Sequence, residues 1–256
     1  MLPSGRVAQL TVLGTSAAWP ERGRAASGYL LESGGHRLVL DLGYATLPRL
    51  LALCPADAVD AVVVTHAHAD HCVDVHGLYR ARTLPDPPSV PLPLFASSDV
   101  LDRIGPLEGP RGVALMRERC RFTEIGPDQT FEIGPFRVRT LALPHFVPNL
   151  GVRVEVEGRS LAYTGDTGPS PKILELARRA DVFLCEATFQ GTRPVTPERF
   201  LLTATEAGQF ARDAEVGQLV LTHFWPGDDR ARSGTEAAAA LGRAPVLADE
   251  GLSLTL

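Results

Sequence analysis

The stretch Ala61-Val62-Val63-Val64-Thr65-His66-Ala67-His68-Ala69-Asp70-His71 decides the reading of this chain. Ala61–Thr65 is a continuous apolar, β-branched run and reads as a buried strand. The six residues after it hold three histidines and an aspartate. Side chains two apart in extended backbone project to the same side, so His66 and His68 can grip one ion as the chain leaves the sheet. Asp70 and His71 come a turn later and can reach a second ion beside it. Imidazole suits Zn, Mn, Fe or Ni, and a carboxylate compensates charge. The plainer alternatives are a structural zinc site or a polar strand-end loop. A structural site is normally closed by cysteines, and Cys72 alone does not close one.

Further donors stand at the ends of other expected strands. His145 follows the alternating run Phe136–Leu143 and Pro144; Asp166 lies in Tyr163-Thr164-Gly165-Asp166-Thr167-Gly168 after Ser160–Thr164; His223 ends Leu219–Thr222. Asp166, with two oxygens, can bridge two ions. Other expected strands are Arg6–Leu13, Tyr29–Glu32 and Arg37–Asp41 around a Ser33-Gly34-Gly35 hairpin, Val152–Glu157, Val182–Glu186, Val246–Ala248 and Leu252–Leu256. Expected helices are Thr46–Leu53, Pro169–Arg179, Thr203–Ala214 and Gly234–Leu241, and the proline-rich Leu84–Pro93 reads as a rigid loop. Strands outnumber helices, and no helical segment is long enough to cover a sheet alone. Two packed sheets with helices on their outer faces satisfy that count. No repeat or boundary divides the chain, so residues 1–256 are expected to form a single domain.

Composition narrows the function. The chain has 256 residues and a net charge of −5, and Lys172 is its single lysine. An acidic chain with scattered arginine lacks the footprint of a protein that grips long nucleic acid, although a local cationic site can still take a small anion. No apolar run reaches the roughly 18 residues of a membrane span, and the N-terminus has no leader-like pattern; no membrane partner and a cytoplasmic location are expected. Cys54, Cys72, Cys120 and Cys185 form no C-x-x-C pair and read as reduced, mostly core thiols.

In this arrangement the chain resembles the metallo-β-lactamase-fold hydrolases along essentially its whole length. The matching motifs are Asp41 after the third strand, the His66-x-His68-x-Asp70-His71 run, His145, Asp166 and His223. The resemblance implies an α+β, four-layer αββα sandwich with a dinuclear site at one sheet edge. It assigns His66, His68 and His145 to one metal, Asp70, His71 and His223 to the other, and Asp166 to both. Two divalent ions are implied, zinc first and manganese or iron as alternatives. The mechanism that follows is hydrolysis by a metal-activated water, with Asp70 as its proton acceptor. Asp41 orients a ligand histidine in this reading; a strand-end turn residue at Asp41-Leu42-Gly43 is its other reading. A homodimer is the family tendency.

Within the fold the chain is similar to the ribonuclease Z-like phosphodiesterase branch, through Leu13-Gly14-Thr15-Ser16, Arg24-Ala25-Ala26-Ser27-Gly28-Tyr29-Leu30, Tyr163-Thr164-Gly165-Asp166-Thr167 and Leu221-Thr222-His223-Phe224. Inside the branch it looks most like bacterial cyclic-nucleotide phosphodiesterase-type proteins, through Asp70-His71-Cys72-Val73-Asp74 and Gly77-Leu78-Tyr79. Two departures matter. His145 and Asp166 are too close in sequence for the tRNA-gripping arm of bacterial ribonuclease Z. Leu201 stands where the branch carries a histidine that contacts phosphate; His76, Thr203 or an arginine are candidate replacements, and His76 otherwise reads as a helix-surface residue. Phe224-Trp225-Pro226 walls the pocket or packs as a lid on the core. The expected function is hydrolysis of a small phosphodiester such as a cyclic nucleotide. The alternatives are an ester, lactone or thioester hydrolase, and a non-catalytic metal-binding module.

Overall fold

The computed structural model describes residues 7–196 and 198–256; Arg6 of the expected first strand lies outside them. The first sheet is built from β1 (Gln9–Gly14), β2 (Gly28–Ser33), β3 (His36–Leu42), β4 (Ala61–Val63), β5 (Leu92–Ala96) and β6 (Cys120–Glu124). Helices α1 (Leu47–Leu53), α2 (Ala69–Thr83), α3 (Ser98–Ile104) and α4 (Gly112–Arg119) lie between its strands in sequence. The second sheet comprises β7 (Thr130–Ile133), β8 (Phe136–Leu143), β9 (Asn149–Val156), β10 (Arg159–Tyr163), β11 (Val182–Glu186), β12 (Gln218–Thr222) and β13 (Val246–Leu247). Helices α5 (Lys172–Ala177), α6 (Ala204–Asp213) and α7 (Arg230–Leu241) accompany it, and β14 (Ser253–Thr255) returns to the first sheet. The strand orders are β14-β1-β2-β3-β4-β5-β6 and β13-β12-β11-β10-β9-β8-β7.

Alternation assigns each face. Leu10, Tyr29, Leu31, Leu38, Leu40 and Val63 of the first sheet meet Phe136, Val152, Val154, Leu161, Leu184 and Val220 of the second in a core between the sheets. Their neighbours Leu13, Leu30, Val39 and Val62 point the other way and pack with Val75 and Leu78 of α2 and Leu101 of α3. On the far side, Ala162, Phe183 and Leu219 pack with Leu176 of α5, Ala207 of α6 and Ala237 of α7. Both faces of both sheets are therefore buried, as mixed sheets covered by helices require. The result is the expected αββα sandwich.

Several boundaries depart from the sequence reading. β4 stops at Val63, two residues short, because Thr65 has left the ladder: its N–H bonds Asp41 Oδ1 at 2.7 Å, and its carbonyl accepts from Leu150 N–H in the other sheet at 3.0 Å. The proline-rich loop ends earlier than Pro93, which lies within β5. It pairs with Arg121 of β6, while pairing with the short β4 begins only at Leu94. Proline is tolerated where one side of the ladder is unused. The helix expected over Pro169–Arg179 is confined to Lys172–Ala177, and the last helix begins earlier, at Arg230, where the Asp229 side chain caps Ala231 N–H at 3.0 Å. All four cysteines are buried free thiols, as expected. Among the described residues, no helix is long and apolar enough to cross a membrane.

Candidate metal centre

β8, β10, β11 and β12 run the same way, because β9 is antiparallel to both β8 and β10 while β10, β11 and β12 are mutually parallel. Their C-terminal ends therefore open on one edge, where β3 and β4 of the facing sheet also end. Asp166 and His223 follow the ends of β10 and β12, and His145 follows β8 by two residues. His66 and His68 occupy the turn from β4 into α2, and Asp70 and His71 form the first turn of that helix. The seven residues expected from sequence are brought together at one place. They form two groups sharing Asp166: His66, His68, His145 and Asp166, then Asp70, His71, Asp166 and His223.

The distances fit metal-ligand sets. His68 Nδ1 lies 3.1 Å from His66 Nε2 and 3.0 Å from His145 Nε2, and His71 Nε2 lies 3.4 Å from His223 Nε2. Four donors held about 2.0–2.1 Å from one tetrahedral ion stand ~3.3 Å apart. Asp166 faces both groups: Oδ1 is 3.2 Å from Nε2 of His71 and of His223, and Oδ2 is 3.8 and 3.7 Å from Nε2 of His66 and His145. Asp166 Oδ1 is buried without a hydrogen-bond partner among the described residues. An orphaned carboxylate oxygen amid convergent imidazole nitrogens is the donor chemistry of a site for divalent cations.

Four of the five histidines are aimed from behind. Asp41 is wholly buried and left-handed at φ 56°, and its Oδ2 accepts from His71 Nδ1 at 2.8 Å, Tyr163 OH at 2.8 Å and Thr65 Oγ1 at 2.9 Å. Asp41 therefore orients His71; it is not a turn residue, since it lies within β3 at a bulge between Leu40, which pairs with Tyr29, and Leu42, which pairs with Gly28. Thr65 Oγ1, donating to Asp41, accepts from His66 Nδ1 at 3.0 Å. Thr188 repeats the device: its hydroxyl donates to Glu186 at 2.5 Å and accepts from His223 Nδ1 at 2.8 Å. The Phe200 carbonyl accepts from His145 Nδ1 at 3.0 Å. Placing the ring proton on Nδ1 leaves Nε2 with its lone pair toward the centre. Asp70 is anchored by Ala18 N–H, which donates to its Oδ2 at 2.8 Å.

The electrostatics separate the groups. Burial, reinforced by neighbouring histidines, lowers His66, and burial is also what lowers His68 and His145, so those rings are neutral and ready to ligate. Burial alone would lower His71 and His223 too. Burial is the largest single influence on both, yet Asp166 together with Asp70 and Asp41 at His71, and with the hydrogen bond to Asp70 at His223, outweighs it, and both are raised. Burial works against ionised Asp70 and Asp166, yet the facing histidines hold both carboxyls below the usual carboxylate range. Glu186 is pushed up to about 8 by burial and by Asp166.

Sequence reasoning missed Thr188, Glu186, Tyr163 and the Ala18 amide. It also missed Ala17, Ala18 and Phe146 among the walls of the cleft above the donors, which they form with Leu201 and Trp225. Leu201 does stand at the site, where the expected histidine would be. Two of the candidate replacements are engaged elsewhere. His76 pairs with Glu108 at 2.6 Å, and Thr203 caps α6 by accepting from Glu206 N–H at 3.2 Å. The Phe224-Trp225 pair divides its roles. Phe224 is buried beneath the Arg230 guanidinium, whereas Trp225 lines the cleft and meets Trp19 edge-on at 5.1 Å.

Comparison with known proteins agrees with this geometry. An uncharacterized protein of Mycobacterium tuberculosis is 35% identical over 90% of this chain and 86% of its own length. The probable metallo-hydrolase YhfI of Bacillus subtilis is 28% identical over 84% of this chain and 86% of its own. Its crystal structure superposes with a TM-score of 0.85 at 26% identity, covering 96% of this chain and 99% of that one. A ribonuclease Z of Kineococcus radiotolerans is 29% identical over 84% of this chain and 83% of its own. The family described as beta-lactamase superfamily domain matches residues 36–224, well over half of the sequence. The chain belongs to the beta-lactamase superfamily.

Proposed function

We propose that the chain is a metal-dependent hydrolase with two divalent ions, zinc first among them, acting as a phosphodiesterase on a small anion of the cyclic-nucleotide kind. The observation that carries this reading is Asp166, whose two oxygens face two separate groups of donors. The named functions of the Bacillus subtilis and Kineococcus radiotolerans relatives support a metallo-hydrolase acting on phosphodiesters. Divalent ions bound there supply Lewis acidity and bring a water's pKa near neutrality. The protein's own part is orientation: Asp41, Thr188 and the Phe200 carbonyl keep the Nδ1 protons of His71, His223 and His145 and leave Nε2 free. Asp70 Oδ2, fixed by Ala18 N–H, takes the proton of the attacking water. Phe146, Leu201 and Trp225 give the cleft an apolar wall.

The connections support a small substrate. β8 and β9 are joined by Pro144–Pro148, and β9 and β10 by Glu157-Gly158, so no arm leaves the sheet between His145 and Asp166. Leu201 supports a second reading, an ester, lactone or thioester hydrolase, because it removes the polar group that would meet a phosphate. The deciding experiment supplies zinc, manganese and iron in turn and offers cyclic AMP, bis-p-nitrophenyl phosphate, a lactone, a thioester and a precursor tRNA. Phosphodiester turnover exceeding tRNA cleavage, with little dependence on salt, is expected. Efficient tRNA trimming that weakens steeply with salt would sink the small-substrate reading. Turnover of lactone or thioester alone would select the second one.

A further inference from the structure

Beside the metal cleft lies a second cavity of about 350 Å³, near the lower end of the range for small-ligand sites. Its walls are Phe146, Phe189, Phe200 and Leu201, with Arg193 and Arg199 at the polar side. Phe146 and Leu201 also line the metal cleft, so the two spaces adjoin across these side chains. The aromatic walls are ordered: Phe146 meets Phe200 edge-on with centroids 4.9 Å apart, and the Arg193 guanidinium lies 4.1 Å above the Phe189 ring. We propose that this cavity is the subsite for the flat heterocyclic ring of the substrate, held while its phosphodiester lies at the donor cluster. The proposal rests on the phosphodiesterase reading above and assigns the residues that choose among phosphodiesters.

Three features favour a heterocycle over a hydrocarbon chain. The cavity already holds a planar cation against a phenyl face, the arrangement a base adopts on aromatic and guanidinium planes. Phe189 and Phe200 are half-buried and offer ring surface rather than a sealed core. Arg199 pairs with Glu206 through both terminal nitrogens, and its Nε is left as a buried donor without a partner among the described residues. An acyl chain leaves that donor unmet. A ring with nitrogen or oxygen acceptors on its edge can meet it after a small rotation of the wall. Leu201 suits the same purpose, since a charged imidazole there would stand between the two spaces, whereas leucine keeps their junction apolar.

The test compares, in zinc-loaded protein, cyclic AMP with its base-less analogue, the methyl riboside 3′,5′-cyclic phosphate. The kcat/KM ratio of the two substrates should fall at least tenfold in Phe189→Ala and Phe200→Ala, with the change mainly in KM for cyclic AMP. Phe189→Leu and Phe200→Leu keep apolar volume without the ring, and should lower the ratio even where the alanine variants fold poorly. A ratio unchanged in folded variants overturns the proposal. A binding arm needs no turnover: wild-type protein should bind adenosine 5′-monophosphate at least tenfold more tightly than ribose 5-phosphate by calorimetry. Equal affinities, or displacement of neither by the other while a medium-chain fatty acid binds, assigns the cavity to something else. If no phosphodiester is hydrolysed but the binding preference holds and is lost in Phe189→Leu, the reaction assignment fails and the subsite stands.

Discussion

Asp166 is the single described residue common to both donor groups, and its removal acts on both. Asp166→Ala is expected to lower the occupancy of each ion, measured by elemental analysis after full loading and desalting. One ion bound equally well before and after the substitution would contradict a two-ion centre. Asp70→Asn keeps the size and the Ala18 contact but loses charge and basicity, so turnover should drop on the order of 10²-fold or more. Near-normal turnover at full metal content would remove Asp70 from proton transfer. The donor residues themselves were legible in sequence because four of them crowd into six positions and the others follow strand ends. Their supports were not. Tyr163 reaches Asp41 across 122 positions and Thr188 reaches His223 across 35, and no local pattern marks either contact.

At the scale of elements, the first turn of α2 carries Asp70 and His71, and what seats it is a glycine. A Cβ on Gly43 would lie 1.8 Å from the Asp70 carbonyl oxygen, which also accepts from Ser27 N–H at 3.1 Å. Gly43→Ala must push the helix start away from β3, and with it two ligands. It should destabilise the fold by about 1–3 kcal/mol, the usual cost of overpacking, and weaken the Asp70–His71–His223 group more than the other. Chemical denaturation and metal titration check the two parts; unchanged binding would show that the turn has room to move. Strands with two buried faces were legible through their apolar runs. The segment 97–135 was not read, since α3, α4, β6 and β7 are only four to eight residues long and carry short, partly exposed patterns. Pro93 concealed a strand start for the reason given above, a ladder used on one side only.

For the whole molecule, protons and metal compete, and unequally. His71 and His223 are raised above the ordinary imidazole value of about 6.5, whereas His66, His68 and His145 are lowered. Acidification of the loaded protein should therefore empty the Asp70–His71–Asp166–His223 group first, seen as two separated steps of metal release; a single step would count against it. A raised folded-state pKa gives stability that is complete below the unfolded value and lost as pH rises through the folded one. The metal-free protein should then lose thermal stability as pH rises above the ordinary imidazole value of about 6.5, and Glu186, raised to about 8, adds to that loss up to about pH 8. Metal-induced stabilisation should grow over the same interval, because fewer protons must be displaced. The bond from His145 Nδ1 to the Phe200 carbonyl carries a last consequence beyond the centre. It ties a histidine of the centre to a backbone that carries the exposed Glu198 two residues earlier, so occupancy becomes readable as resistance to proteolysis: a glutamate-specific protease should nick chelated protein after Glu198 well before it nicks the loaded form.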